Sequence, residues 1–110
     1  MVYQAFYCCY STGKQVASSD PVEIDRDCVG TVALDVLRAK DDFFGLVDSE
    51  GTTLQFMRED EHVWMEVPAP AEQASYGKSI TMDALKALLA SLPPTFSHDS
   101  FPGMVRGSWQ

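Results

Sequence analysis

A chain of 110 residues, 45% hydrophobic and 22% charged, has a globular composition and enough length for one real core, which excludes intrinsic disorder. Sixteen acids against eight bases leave a net charge of −8, which argues against direct DNA or RNA binding and against an anionic membrane surface. A basic protein is the partner such a charge attracts, although many proteins are acidic without using it.

No apolar run approaches the roughly 20 residues that span a bilayer. The opening MVYQAFYCCYSTGK has neither a basic leader nor a small-residue cleavage site, so it does not read as a signal peptide. Val2–Tyr10 reads as a strand with apolar residues on both faces, as in strands buried on both sides or central in a sheet. Cys8 and Cys9 are adjacent within it, point to opposite faces, and are badly placed for a mutual disulfide. With Cys28 they make an odd count, read as buried free thiols in a reducing cytoplasm.

STGKQVASSDP is a loop, followed by a short extended piece at Pro21–Ile24. Asp25 or Asp27 caps a predicted helix running to about Lys40. Val29, Val32, Ala33, Val36 and Leu37 form its apolar stripe. Phe43–Val47 and Thr52–Arg58 form a hairpin whose DSEG connection places Gly51 at a positive-φ position. Gly45, inside the first of these strands, marks a bulge or a close backbone approach.

A turn at Arg58–Glu61 leads to a strand at His62–Val67. PAPAEQASYGKS is read as a loop, with Gly77 in it. Thr81 caps a second helix whose apolar face is Met82, Leu85, Leu88, Leu89 and Leu92, and LPP stops it. The tail from Thr95 keeps Phe96, Phe101, Met104, Val105 and Trp109, so it packs on the body, with a last short strand near Val105. The order β-α-β-β-β-α plus tail predicts one α+β domain over 1–110. Its expected form is a two-layer sandwich, with an antiparallel or mixed sheet of about four to five strands and two helices on one face. The expected core joins Val32, Val36, Leu85 and Leu89 to Leu54, Phe56, Val63 and Met65.

The stretch FMREDEHVWMEVP holds four carboxylates, a histidine and a tryptophan in residues 56–68. Strand alternation turns Leu54, Phe56, Val63, Met65 and Val67 inward. It turns Thr53, Gln55, Met57, His62, Trp64 and Glu66 outward, with Glu59, Asp60 and Glu61 in the turn. Turn acids alone are usually only solvated. A tryptophan on the same outer face makes a binding hot spot, unless Phe101 or Trp109 of the tail folds over and buries it.

Catalytic signatures are missing. Only His62 and His98 could partner a nucleophilic cysteine, and no G-x-S-x-G, H-E-x-x-H, P-loop or G-x-G-x-x-G occurs. Cys8-Cys9 lacks C-x-x-C spacing, and His62 and Glu66 on one strand stand about 13 Å apart, too far for one metal. His98 with Asp99 is a weaker metal pair still. Glu66 paired with a turn acid, as in a two-carboxylate hydrolase, has nothing else in its favour. No cofactor is expected.

The segments FFGLVDSEGTTLQFM, VWMEVPAP and SYGKSITMDALKALLASLPPTF, spanning residues 43–96, resemble small bacterial immunity proteins. Such proteins are encoded beside the secreted toxins of contact-dependent and type VI systems. The resemblance rests on a strand, an Asp-x-x-Gly turn, a strand, a tryptophan strand and a C-terminal helix. It implies a non-catalytic cytoplasmic protein that binds and blocks one cognate toxin. An acidic surface entering a basic active-site cleft in place of an anionic substrate fits the charge. The expected partner-binding residues are Gln55, Glu59, Asp60, Glu61, His62, Trp64, Glu66 and Tyr76, with the loop Pro68–Lys78 as a second surface. The rival readings are a small enzyme or ligand-binding domain using a pocket between sheet and tail, and a subunit of a larger assembly.

Overall fold

The computed structural model describes residues 1–109. It is an α+β fold whose eight strands form a single sheet, every pairing antiparallel. In chain order the strands are β1 (Val2–Cys8), β2 (Gln15–Val16), β3 (Val22–Asp25), β4 (Phe43–Val47), β5 (Thr53–Arg58), β6 (His62–Ala69), β7 (Ala74–Thr81) and β8 (Val105–Ser108). The helices are α1 (Val29–Val36) and α2 (Met82–Leu89). Across the sheet the order is β2-β1-β4-β5-β6-β7-β8, and β3 shares the outer edge of β1 with β2. β1 is therefore a central strand, ending at Cys8 rather than Tyr10.

One face of the sheet carries the core. Tyr3, Ala5, Phe44, Leu46, Leu54, Phe56, Val63, Met65 and Val67 alternate along their strands and are buried. Against them pack Val29, Ala33 and Val36 of α1, Leu85 and Leu89 of α2, and Leu92, Phe96 and Phe101 of the tail. Val32 is only partly buried at the margin of this cluster. The expected inward set is thus the observed one, because hydrophobic burial selects one phase of a period-2 strand.

The tail as far as Phe101 lies on the helix side. Phe96 stacks on Tyr3 with ring centroids 5.3 Å apart, and the Tyr3 hydroxyl donates to the Pro93 carbonyl at 2.7 Å. Burial and the nearby Asp48 carboxylate raise the Tyr3 pKa, opposed by Arg26. Asp48 sits in the β4–β5 turn and is buried. It accepts from the amides of Glu50 and Thr52, each at 2.9 Å, and from the Phe96 amide at 2.7 Å, so one carboxylate both closes the hairpin and anchors the tail. Gly51 takes φ +82°, as the turn requires.

Several boundaries differ from the expectation. The sheet has eight strands, not four to five. The segment read as a loop at 68–79 is most of a hairpin: β6 runs on to Ala69, a 3₁₀ turn covers Pro70–Glu72, and Ala74–Thr81 is β7. Beyond Glu66, β6 has no recorded partner in β5 and pairs only with β7, so Pro68 does not interrupt a doubly paired strand. β7 was hidden because its inward positions are Ala74, Tyr76, Lys78 and Ile80, which lack the uniform apolar alternation of a strand in the middle of a sheet. Gly77 is a strand residue, not a loop residue.

The first helix is shorter than the predicted run to Lys40. Asp25 accepts from the Asp27 amide at 3.0 Å and caps a 3₁₀ turn at Arg26–Cys28, which leads into α1. At the other end the fully buried Asp42 carboxylate accepts from the amides of Arg38 (3.1 Å), Ala39 (2.8 Å) and Tyr10 (2.9 Å). The first two amides would otherwise continue the helix, so a side-chain acceptor ends it and ties it to β1. Burial alone would push the Asp42 pKa up, but the three amides and the Cys9 thiol hold it below the usual carboxylate value. All three cysteines are free, but only Cys9 is fully buried. Cys8 is half-buried on the opposite face and Cys28 is exposed, so the expectation of three buried thiols holds for one.

Candidate interaction surface

Among the described residues no helix covers the second face of the sheet. Its side chains fall into two rows defined by strand register. One row runs Phe6–Gly45–Gln55–Glu66–Gly77–Val105 across six strands, and the next runs Cys8–Phe43–Met57–Trp64–Ser79 across five. Both phases are set by the inward residues: on β1, β4, β5 and β6 each of these positions is one step from a buried residue, and β7 and β8 follow by register.

Two glycines shape this surface. A Cβ on Gly45 would stand 2.1 Å from Cζ of Phe6, and one on Gly77 would stand 2.4 Å from Cζ2 of Trp64. Each aromatic ring occupies the place where its neighbour's side chain would be, so both lie down against the sheet and are partly buried. Gly45 is regularly paired on both sides, so it marks close approach and not a bulge. Between these two rings stands the Gln55–Glu66 pair. Gln55 Nε2 donates to Glu66 Oε2 at 3.5 Å and Trp64 Nε1 donates to the same oxygen at 3.4 Å. The result is a hollow of about 190 Å³ walled by Phe6, Phe43, Met57 and Trp64, with Gln55 and Glu66 as its polar groups.

The acidic turn lies at one end of this surface. The Glu59 amide donates to the His62 carbonyl at 2.8 Å and closes the β5–β6 turn, and the Glu59 carboxylate accepts from the Ser79 hydroxyl at 3.2 Å. Among the described residues the Asp60 and Glu61 carboxylates make no hydrogen bond or ion pair, and His62 is exposed on the open face opposite Thr81.

The strands also separate charge. Their acids are Glu23, Asp25 and Glu66, and by register all three share the open face with Gln4, Val2 and Gln55. Their Lys and Arg residues are Arg58, Lys78 and Arg106, opposite Val63, Met65 and Tyr76, and all three belong to the helix-side face.

Of the expected site residues, Gln55, Trp64 and Glu66 are brought into contact, with His62 and the turn acids Glu59, Asp60 and Glu61 at one end. Trp64 is not buried by the tail: Phe101 is in the core on the other side, and the Trp109 indole donates to Ser75 Oγ at 2.8 Å while remaining exposed. Tyr76 does not join this group. It pairs with Val67, which puts it on the helix-side face. There its ring stacks on His98 at 3.7 Å and its hydroxyl donates to Glu72 at 2.8 Å. That hydrogen bond, with help from Arg106, lowers the Glu72 pKa, and the same bond raises that of Tyr76. The second candidate surface, Pro68–Lys78, is therefore divided between the two faces of a hairpin.

Phe6 and Phe43 belong to the open surface and were not singled out from the sequence. Their signal was available: each is one residue out of phase with the inward Tyr3, Ala5, Phe44 and Leu46.

The groove between sheet, α2 and tail is lined by Lys78, Leu88, Pro93, Phe101 and Pro102 among others. Lys78 is its one ionisable side chain, and its ammonium is hydrogen-bonded to the Pro102 carbonyl. Among the described residues no cluster of three His, Cys, Asp or Glu side chains is placed to hold a metal, and no helix is long and apolar enough to cross a membrane.

In comparisons with protein-family models, curated proteins and solved structures, nothing matches this chain.

Proposed function

We propose that this chain is an immunity-type inhibitor that binds a cognate toxin through the open sheet face and the acidic turn Glu59–Glu61. The observation that carries the reading is the charge separation within the strands: acids on the open face, bases on the helix-side face. A surface that joins aromatic anchors to carboxylates, with no strand Lys or Arg among them, complements a basic protein patch. The anchors are Trp64, Phe6, Phe43 and Met57, the last 43% exposed. Binding would place this surface over a basic cleft and exclude the anionic substrate from it. Catalysis is not required of any residue.

The test uses the protein as bait in native lysate at low salt, in three forms. These are the parent, a variant with Glu59, Asp60 and Glu61 changed to lysine, and a variant with the helix-side exposed Lys86 changed to glutamate. Expected is a basic partner held by the parent and the Lys86 variant and lost by the turn variant, with inhibition of that partner's activity by the parent alone and the Lys86 form. Capture of the same partner by all three forms, or capture without inhibition, would overturn the reading.

A further inference from the structure

The hollow on the open face has a composition that selects among partner side chains. Three aromatic side chains and a methionine wall it, and its one ionisable group is the Glu66 carboxylate. Glu66 Oε2 already receives Trp64 Nε1 and Gln55 Nε2, so the carboxylate is held in place while Oε1 has no protein donor among the described residues. Because Gln55 donates through its amide nitrogen, its side-chain oxygen remains an acceptor. The hollow thus offers two acceptor oxygens, on neighbouring strands, inside an aromatic wall.

We propose that this hollow is a receptor for an arginine side chain of the basic partner. This rests on the reading of the open face as a docking surface and deepens it. A guanidinium is planar, weakly hydrated for a cation and carries donors in a rigid fork. It therefore suits a narrow aromatic site with two fixed acceptors better than a compact, strongly hydrated ammonium does. Cation–π attraction to Trp64, Phe6 or Phe43 adds to the charge-assisted bonds to Glu66. The two glycines complete the site: with a Cβ at Gly45 or Gly77, Phe6 or Trp64 would have to lift off the sheet and fill the space the guanidinium needs. Lys40 lies beyond Phe43 and Met57, in a separate shallow hollow beside Asp41, and does not line the receptor.

The experiment is a titration of the ¹⁵N-labelled Trp109→Phe protein, in which Trp64 gives the one remaining indole resonance. The probes are N-acetyl-arginine methylamide, its lysine analogue, and the equally capped citrulline, whose side chain is an uncharged isostere. Expected is a saturable shift of the Trp64 indole and of the Gln55 side-chain amide with the arginine probe. The lysine probe should bind several-fold more weakly and citrulline about tenfold or more weakly, the latter equivalent to about 1.4 kcal/mol. Glu66→Gln should weaken arginine binding by about tenfold with the amide spectrum otherwise preserved, and Gly77→Ala should weaken it by displacing the indole. No saturable shift, equal binding of citrulline or lysine, or an unchanged affinity in Glu66→Gln would overturn the proposal. The two readings separate cleanly. If the probe fails while lysine substitutions in the acidic turn still abolish partner capture, the arginine receptor is wrong and the docking face stands. If the probe binds but the partner is indifferent to Glu66→Gln and to the turn, the hollow takes a guanidinium but not the partner's, and both the proposal and the docking mode are overturned.

Discussion

The two faces of this sheet are made by the same strands, one residue out of phase, and they are built on opposite rules. The helix-side face is continuous hydrocarbon at its centre: Phe44, Leu46, Leu54, Val63 and Met65 are each buried beneath α1, α2 and the tail. The open face has half-buried rings lying over glycines where the other has fully buried side chains, and carboxylates where the other has lysine and arginine at its edges. The first face owes its order to exclusion of water. The second owes it to two rings laid over glycines and to a carboxylate between them. A face that only closed the fold would need neither exposed Met57 nor a held but half-satisfied Glu66, and that difference directs attention to binding.

The comparison can be broken most directly by truncation. Phe56→Ala, on the buried face, should cost about 3–5 kcal/mol in denaturant unfolding, and Leu89→Ala in α2 about 2–5 kcal/mol. Phe6→Ala, on the open face, should cost less than about half the Phe56 value, because its ring is only partly removed from water. Equal losses would mean that the open face is also core.

Asp42 tests what holds the buried side to its loop. Asp42→Ala leaves the Tyr10 and Ala39 amides without their acceptor, while the Arg38 amide keeps the Val36 carbonyl at 3.0 Å, and should cost roughly 2–4 kcal/mol. Its folded pKa is depressed. Its stabilising contribution is therefore complete above the unfolded value of about 3.9 and is lost as pH falls through the lower folded value. The parent should lose stability over that acidic window more steeply than Asp42→Asn, as measured by urea unfolding at a series of pH values.

On the open face, Trp64→Ala should keep the far-ultraviolet circular dichroism of the parent and hasten dissociation from the partner, with a cost of about 2 kcal/mol or more. Unfolding of this variant would show that the indole serves the fold. Gly77→Ala should destabilise by about 1–3 kcal/mol through overpacking against the indole and change tryptophan emission. The smallest effect on stability belongs to the acidic turn. Changing Glu59, Asp60 and Glu61 to lysine should alter unfolding by no more than about 0.5 kcal/mol per site, yet slow association most at low salt. Surface-binding kinetics at two ionic strengths would show it.

Much of this molecule was legible in residue order, for a physical reason: wherever a segment buries one side, its hydrophobic period reports the geometry. The phase of β5 and β6, the inward and outward rows around Trp64, the stripe of α2 and its Thr81 cap, whose hydroxyl accepts from the Ala84 amide at 3.0 Å, all follow from local pattern. The strand near Val105 was also expected, and Phe96, Phe101 and Met104 pack on the body as expected, but Val105 and Trp109 are exposed. β7 was not, since its inward positions Tyr76 and Lys78 lie toward the sheet's margin, where burial no longer demands an apolar side chain. Nor was the end of α1, which Asp42 sets through amides as distant in sequence as Tyr10. The hollow itself was beyond any local reading. Phe6, Gly45, Gln55 and Glu66 come from four strands over 61 positions of the chain, and only strand order and register place them in one row. Sequence by itself determined which side chains of β5 and β6 face outward; the tertiary structure decided which of them meet, because long-range pairing joins residues that no local period relates.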